Sequence, residues 1–274
     1  MNAPSPMRRL SAAQARADAL PDLTEGLRRY EAWTRFALND LRMRFRRSVF
    51  GPLWLTFSMA IMIGAMAFVF ATLFQQDIAK TLPYIATGLI FWTLLTSCLN
   101  EGASCFIDNG AHIRNVQAPI SVHLYRVIAR NVMIFGFNIV IYVTVVMAFS
   151  LNPLASLPWF VPGSILFLLN VIWMALVAAV LSTRYRDVPQ IIANIIQVLF
   201  FLTPVFWSPE SLPQRPVFVH FNPFFHLIEL VRAPLLGASV SAETWIFCAI
   251  GAVGGWFITA LLYRRAFARI AYWV

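Results

Sequence analysis

The side chains able to do chemistry are few and scattered along the chain. His226, Glu229 and Arg232 share one short stretch; Glu229 and Arg232 have the i, i+3 spacing of a local helical ion pair, and the lone histidine reads as a hydrogen-bonded structural group. Cys98, Cys105 and Cys248 lie in or beside apolar runs without CxxC spacing, so they read as buried, inert thiols rather than zinc or redox groups. No Ser-His-Asp or Cys-His set falls at a shared depth, and neither HExxH nor a DxD pair occurs, which argues against catalysis. A phosphate-cradling loop needs Gly-x-x-x-x-Gly-Lys before Ser or Thr, yet the only lysine, Lys80, follows Ala79. The chain is therefore expected to hold no cofactor and to depend on a separate polypeptide for any work done with ATP.

The elements that position these residues are set by composition. Of 274 residues, 59% are hydrophobic and 12% charged, against about 25% charged in ordinary soluble domains. Such a chain needs a membrane to cover it. Six windows free of Asp, Glu, Lys and Arg run Pro52 to Phe74, Pro83 to Asn100, Asn131 to Leu151, Pro158 to Leu181, Val188 to Trp207 and Thr244 to Tyr263. Each approaches or exceeds the ~20 residues a spanning helix needs, and continuous apolar runs argue against an alternating β-barrel. The expected fold is an all-α integral membrane protein with six transmembrane helices, an N-terminal amphipathic interface helix, and short re-entrant external helices between spans five and six. No signal peptide is expected, because the first fifty residues lack an apolar core.

The domain plan follows. Residues 1–23 are expected as a mobile cytoplasmic tail, 24–50 as the interface helix, and 51–274 as the transmembrane domain with an external segment over 208–243. Within Thr24 to Arg47, Leu27, Tyr30, Trp33, Ala37, Leu41 and Phe45 recur every three or four residues while most arginines fall elsewhere on the wheel. That pattern suits a helix lying at the headgroup level, or one packed on a protein partner. The external segment is too apolar for a plain loop, with stretches of about a dozen residues between Pro216, Pro223 and Pro234.

Eighteen of the 21 basic residues fall on one side of this plan, leaving Lys80, Arg215 and Arg232 opposite. By the excess of Lys and Arg in cytoplasmic loops, both termini face the cytoplasm. The net charge of +9 is then a topology signal, and no compact basic module remains for nucleic acid. No Asp, Glu, Lys or Arg interrupts the six cores, with Glu101 and Arg130 at span edges, so a proton relay is not expected. In the short cytoplasmic turn, Arg184 and Arg186 hold topology and can meet lipid phosphates, and Asp187 can cap the next helix. Gly251 and Gly255 form a GxxxG that lets helices approach, within the chain or between copies.

Several local motifs carry a resemblance. Arg46-Arg47-Ser48-Val49-Phe50-Gly51-Pro52-Leu53-Trp54, Arg184-Tyr185-Arg186-Asp187, Phe200-Phe201-Leu202-Thr203-Pro204-Val205, Asn222-Pro223-Phe224 and Arg232-Ala233-Pro234 resemble, in order, the membrane subunits of type 2 ABC exporters. They are most similar to the branch exporting bacterial polysaccharides such as O-antigen, a part of lipopolysaccharide biosynthesis, capsule and teichoic acid. The resemblance runs from about Thr24 to the C-terminus, departing at Gln117-Ala118-Pro119, where relatives often place an aromatic before the proline. It implies a homodimeric permease in the bacterial cytoplasmic (inner) membrane, moving a lipid-linked polysaccharide and driven by a nucleotide-binding ATPase subunit that holds ATP and Mg. It also implies that Glu101 to Asn115, with Glu101, Ile107, Asp108, His112 and Arg114, is the coupling segment on which the ATPase docks; a solvated loop is the other reading.

A conduit for such a chain needs surfaces on which sugar rings slide without deep wells, and aromatic faces supply them. Trp54, Phe57, Tyr84, Trp92, Phe200, Phe201 and Trp207 are the candidates in or beside the spans, an interfacial aromatic belt being the competing explanation. A membrane enzyme or scaffold of lipid-linked glycan assembly, without translocation of its own, is the alternative function.

Overall fold

A computed structural model describes residues 12–116, 118–209 and 217–274. Gln117, Arg215 and Pro216, and the expected tail up to residue 11, lie outside the described residues. The helices are α1 (Ala12–Arg28), α2 (Tyr30–Phe45), α3 (Leu53–Leu73), α4 (Ile78–Asp108), α5 (Gly110–Asn115), α6 (Val122–Ala148), α7 (Leu157–Arg184), α8 (Val188–Leu202), α9 (Val217–His220), α10 (Pro223–Leu235) and α11 (Ala242–Trp273), with no strand among the described residues. Five of them, α3, α4, α6, α7 and α11, are long and apolar enough to cross a membrane.

The fifth expected span is shorter than its charge-free window. Val188 to Trp207 was expected to be helical throughout, but α8 stops at Leu202 after 15 residues, about 22 Å of rise against a hydrocarbon core of roughly 30 Å. Pro204 is the reason, since a proline drives the residue before it out of the helical region, and Thr203 is extended at φ −97°, ψ 132°.

Helix α4 is the centre of the bundle. It is 78% buried over its apolar window whereas α3 is 11% buried, and α3, α6, α7, α8 and α10 all pack on it. Close approach has a sequence basis at two glycines. A Cβ on Gly88 of α4 would lie 2.6 Å from the Val205 carbonyl oxygen, and one on Gly255 of α11 would lie 2.1 Å from the Trp173 ring of α7. Gly251 faces Asn170 of α7 in the same way, so both glycines of the GxxxG serve packing within the chain.

The N-terminal region departs from the expected tail and single interface helix. The chain is helical from Ala12, and a break at Arg29 (φ −78°, ψ 43°) separates α1 from α2. The carboxylate of Asp22, only 7% exposed, accepts from the Ile120 and Ser121 backbone N–H groups at 2.8 and 3.1 Å and from the Tyr263 hydroxyl at 2.7 Å. It satisfies N–H groups at the start of α6 and ties α11 to them. Of the expected apolar stripe, Ala37 and Leu41 are buried against α6 and Trp33 meets Tyr125, but Leu27 and Tyr30 are exposed.

Candidate functional site

A cavity of about 580 Å³ opens between α3, α4, α6 and α8. From α4 it takes Leu89, Trp92, Thr93, Ser97 and Glu101, a three-to-four-residue repeat that marks one helical face. Helix α6 adds Asn131, Ile134 and Asn138; α8 adds Ile196, Gln197 and Phe200; α3 adds Leu55, Ser58, Met59 and Met62; Arg44 of α2 stands at one end. The Trp92 and Phe200 rings meet at 5.6 Å, and the aromatic contacts continue from Phe200 to Phe206 at 5.1 Å and from Phe206 to Phe70 at 4.7 Å. The wall is thus aromatic and apolar, with neutral amides and hydroxyls set into it.

The end of the cavity next to α2 is charged: exposed Arg44 stands there, and two further arginines pair with two carboxylates. Arg126 holds Asp40 through Nε at 2.7 Å and Nη2 at 2.5 Å; Arg130 bridges Asp40 at 2.9 Å and Glu101 at 2.8 Å. Asn131 donates to the same Glu101 oxygen at 2.6 Å. Burial alone would raise the pKa of Asp40, but hydrogen bonds and charge from Arg126 and Arg130 outweigh it and hold the carboxyl below its ordinary range. This network joins α2, α4 and α6.

At the opposite end of the bundle, Arg232 on α10 is 1% exposed. Its Nε and Nη2 donate to Glu229 at 3.0 and 2.6 Å, its Nη1 donates to the Pro204 carbonyl at 2.8 Å, and its guanidinium lies 3.8 Å from the Tyr84 ring centre. The expected Glu229–Arg232 pair is present, and one arginine joins α10, α4 and the segment after α8. Asn222 caps α10 by accepting from Phe224 and Phe225 N–H, and its amide donates to the Leu202 carbonyl at 3.2 Å. His226 is a buried structural residue between Thr244 Oγ1 at 3.1 Å and the His220 carbonyl at 2.8 Å.

The sequence-predicted site residues separate into groups. Of the seven aromatics only Trp92 and Phe200 line the cavity. Trp54, Phe57 and Phe201 are 54 to 65% exposed on the outside of the bundle, Tyr84 lies under Arg232, and Trp207 is half-buried against the core. Glu101 was expected in the docking segment with Ile107, Asp108, His112 and Arg114; it instead sits within α4, which continues to Asp108, and faces Arg130 and Asn131. His112 and Arg114 are exposed on α5, Asp108 is exposed at the end of α4 and accepts from Ser104 Oγ at 2.6 Å, and Ile107 is half-buried. In the 184–187 turn, Asp187 adopts helical φ and ψ and makes no side-chain cap, unlike the expected cap. Arg184 lies 5.7 Å from the Trp273 ring and Arg186 donates to the Trp273 carbonyl at 2.8 Å, so both arginines engage the end of α11.

Sequence reasoning passed over Ser97, Asn131, Asn138 and Gln197. The available signal was uncharged polarity inside charge-free windows, with Asn131 and Asn138 two turns apart on one face of α6.

Comparison with known proteins gives a consistent result. The family described as ABC-2 type transporter matches residues 38–236. An O-antigen export system permease protein RfbA of Klebsiella pneumoniae is 24% identical over 198 residues, covering 69% of this chain and 74% of the relative. A second RfbA from the same organism is 23% identical over 74% of this chain and 80% of its own, and the RfbA of Myxococcus xanthus 22% over 71% and 76%. The match begins inside α2 and ends after α10, leaving α1 and α11 beyond it.

Proposed function

The chain belongs to the ABC-2 type transporter family, a multi-pass membrane protein, and we propose that it is the permease subunit of an ATP-driven exporter of a lipid-linked polysaccharide of the O-antigen or capsule type. The observation that carries this reading is the match of residues 38–236 together with relatives named as O-antigen export permeases along most of their lengths. The cavity supports it physically: a wall of apolar and aromatic groups with neutral hydrogen-bonding side chains suits sugars, whereas a ring of one charge would select ions. These relatives do not favour a glycan-assembly enzyme or scaffold.

In this reading the arginine-rich end, with α1, α2, α5 and the 184–187 turn, faces the cytoplasm of a bacterium, and α9 and α10 lie at the external face of the inner membrane. Helix α5 presents exposed His112 and Arg114 beside Asp108, a polar surface for a separate ATPase that binds ATP and Mg. Two copies of the chain then enclose the path, with Trp92 and Phe200 as its aromatic lining. Deleting the gene should abolish surface polysaccharide and leave it inside the cell. Replacing Asp108, His112 and Arg114 by alanine should abolish co-purification of the ATPase without lowering the permease level; retained co-purification rejects the docking assignment.

A further inference from the structure

The amide Oδ1 of Asn138 is buried without a hydrogen-bond partner, and Asn138 is 3% exposed on the wall of the cavity. A buried carbonyl oxygen left unpaired carries a desolvation penalty that a ligand donor would relieve. Beside it, between α4 and α6, a recess of about 10 Å³ is lined by Thr93, Ser97, Asn131 and Asn138 together with four apolar side chains, the scale of a single water or hydroxyl group. The same four polar residues also line the large cavity, so the recess is its inner pocket. The Trp92–Phe200 pair lies on the wall of that cavity.

Resting on the exporter reading above, we propose that this recess and the Trp92–Phe200 wall form a subsite for one neutral sugar ring of the exported glycan. The ring packs its C–H face on the aromatics and inserts one hydroxyl toward Asn138 and Ser97.

The chemistry separates this occupant from its competitors. A lipid tail would satisfy the apolar wall but leave Asn138 Oδ1 unpaired, because an alkyl chain has no donor. A phosphate or acidic sugar would find no cation in the recess itself: Arg44, the cation of the cavity lining, is exposed at one end, Glu101 is the carboxylate of the wall, and Arg130 behind it bridges Glu101 and Asp40. A neutral sugar hydroxyl both donates and accepts, as do an amide and a serine. The site therefore selects on hydroxyl position along the chain rather than on charge.

The test uses the permease purified with its ATPase, reconstituted in liposomes, and stimulated by lipid-linked glycan extracted from the same cells. Asn138→Leu keeps the volume and removes the acceptor, and should raise the glycan concentration for half-maximal stimulation threefold or more. Ser97→Ala probes the same recess with a smaller change and should shift it in the same direction. A purely structural role would lower the plateau rate and leave the half-maximal concentration where it is. If the wild-type complex responds to glycan and neither variant shifts that concentration, the recess holds water and the subsite is rejected. If the wild-type complex does not respond and deletion of the gene leaves surface glycan intact, the exporter reading itself fails.

Discussion

Arg232 offers the sharpest energetic test of the architecture. Replacement by Met keeps the aliphatic stem but removes the guanidinium, which donates to Glu229 and to the Pro204 carbonyl and lies over Tyr84. Removing one partner of a buried ion pair costs about 3–5 kcal/mol. The Glu229 side chain is 29% exposed, so its stranded charge is partly hydrated and the lower end, about 3 kcal/mol, is expected. That is a change of roughly a hundredfold in the folded-to-unfolded ratio. Most of the cost is the orphaned carboxylate, so Arg232→Met combined with Glu229→Gln should be more stable than Arg232→Met alone. The assay is a double-mutant cycle by denaturant unfolding in one fixed detergent. Costs that add to within about 0.5 kcal/mol would refute the coupling, and the guanidinium would then matter only through packing.

Asp40 should confer an acid limit on the α2–α6 contact: its folded pKa lies below the unfolded value, so the stabilisation is complete above about pH 4 and is lost as pH falls through the folded pKa. Hydrogen exchange of α2 should show this loss in the wild type, and Asp40→Asn should show the weakened contact already at neutral pH. Asp22→Ala removes the acceptor for Ile120 and Ser121 N–H and the Tyr263 hydroxyl, at about 1–3 kcal/mol, and should cut exchange protection of α1 while sparing α7; unchanged protection refutes the tie. Gly255→Ala sets a methyl against the Trp173 ring and should lower unfolding stability by about 1–3 kcal/mol, an effect to be read by thermal melting. Cysteine at Lys80 should be labelled by an impermeant reagent on intact cells and cysteine at Arg184 should not; the reverse pattern inverts the bundle.

What the sequence makes legible follows from how each signal arises. Long helices in lipid are read from absent charge, and α3, α4, α6, α7 and α11 fall where the charge-free windows lie; α4, α6, α7 and α11 run past them at one or both ends through residues that remain helical. Helix ends are a local matter, so Pro204 shortens α8 against the hydropathy signal. Tertiary pairing leaves almost no local trace. Asp22 looks like a residue of a polar tail until Ser121 and Tyr263, about 100 and 241 positions away, converge on it. The cavity was half legible: Trp92 and Phe200 stood among seven candidate aromatics, and only the fold shows that these two share a wall. Its amides were missed because a search for ionisable residues inside spans is blind to Asn, Gln and Ser. Glu101 was placed by its position in sequence, whereas the uninterrupted α4 carries it inward to Arg130.

The distribution of contacts also explains where the bundle can change shape. Its two ends are fastened by directional bonds: Asp22, Asp40 and Arg186 at one, Arg232, Asn222 and His226 at the other. Between them α4 is enclosed by α6, α7 and α10, so displacing it would expose apolar packing on several sides. The cavity mouth is framed by α3, of which 11% of the apolar window is buried, and by α8, in which Ile196 alone is buried. Local opening is easiest where few apolar contacts must break. In the exporter reading proposed above, the amide-bearing floor on α4 and α6 would be the fixed surface, and α3 and α8, the walls with the least burial within the chain, would be the ones to move. A long polymer passing such a site needs a constant surface against which each ring is read and a wall that yields to bulk. In that reading the two tasks fall to different helices.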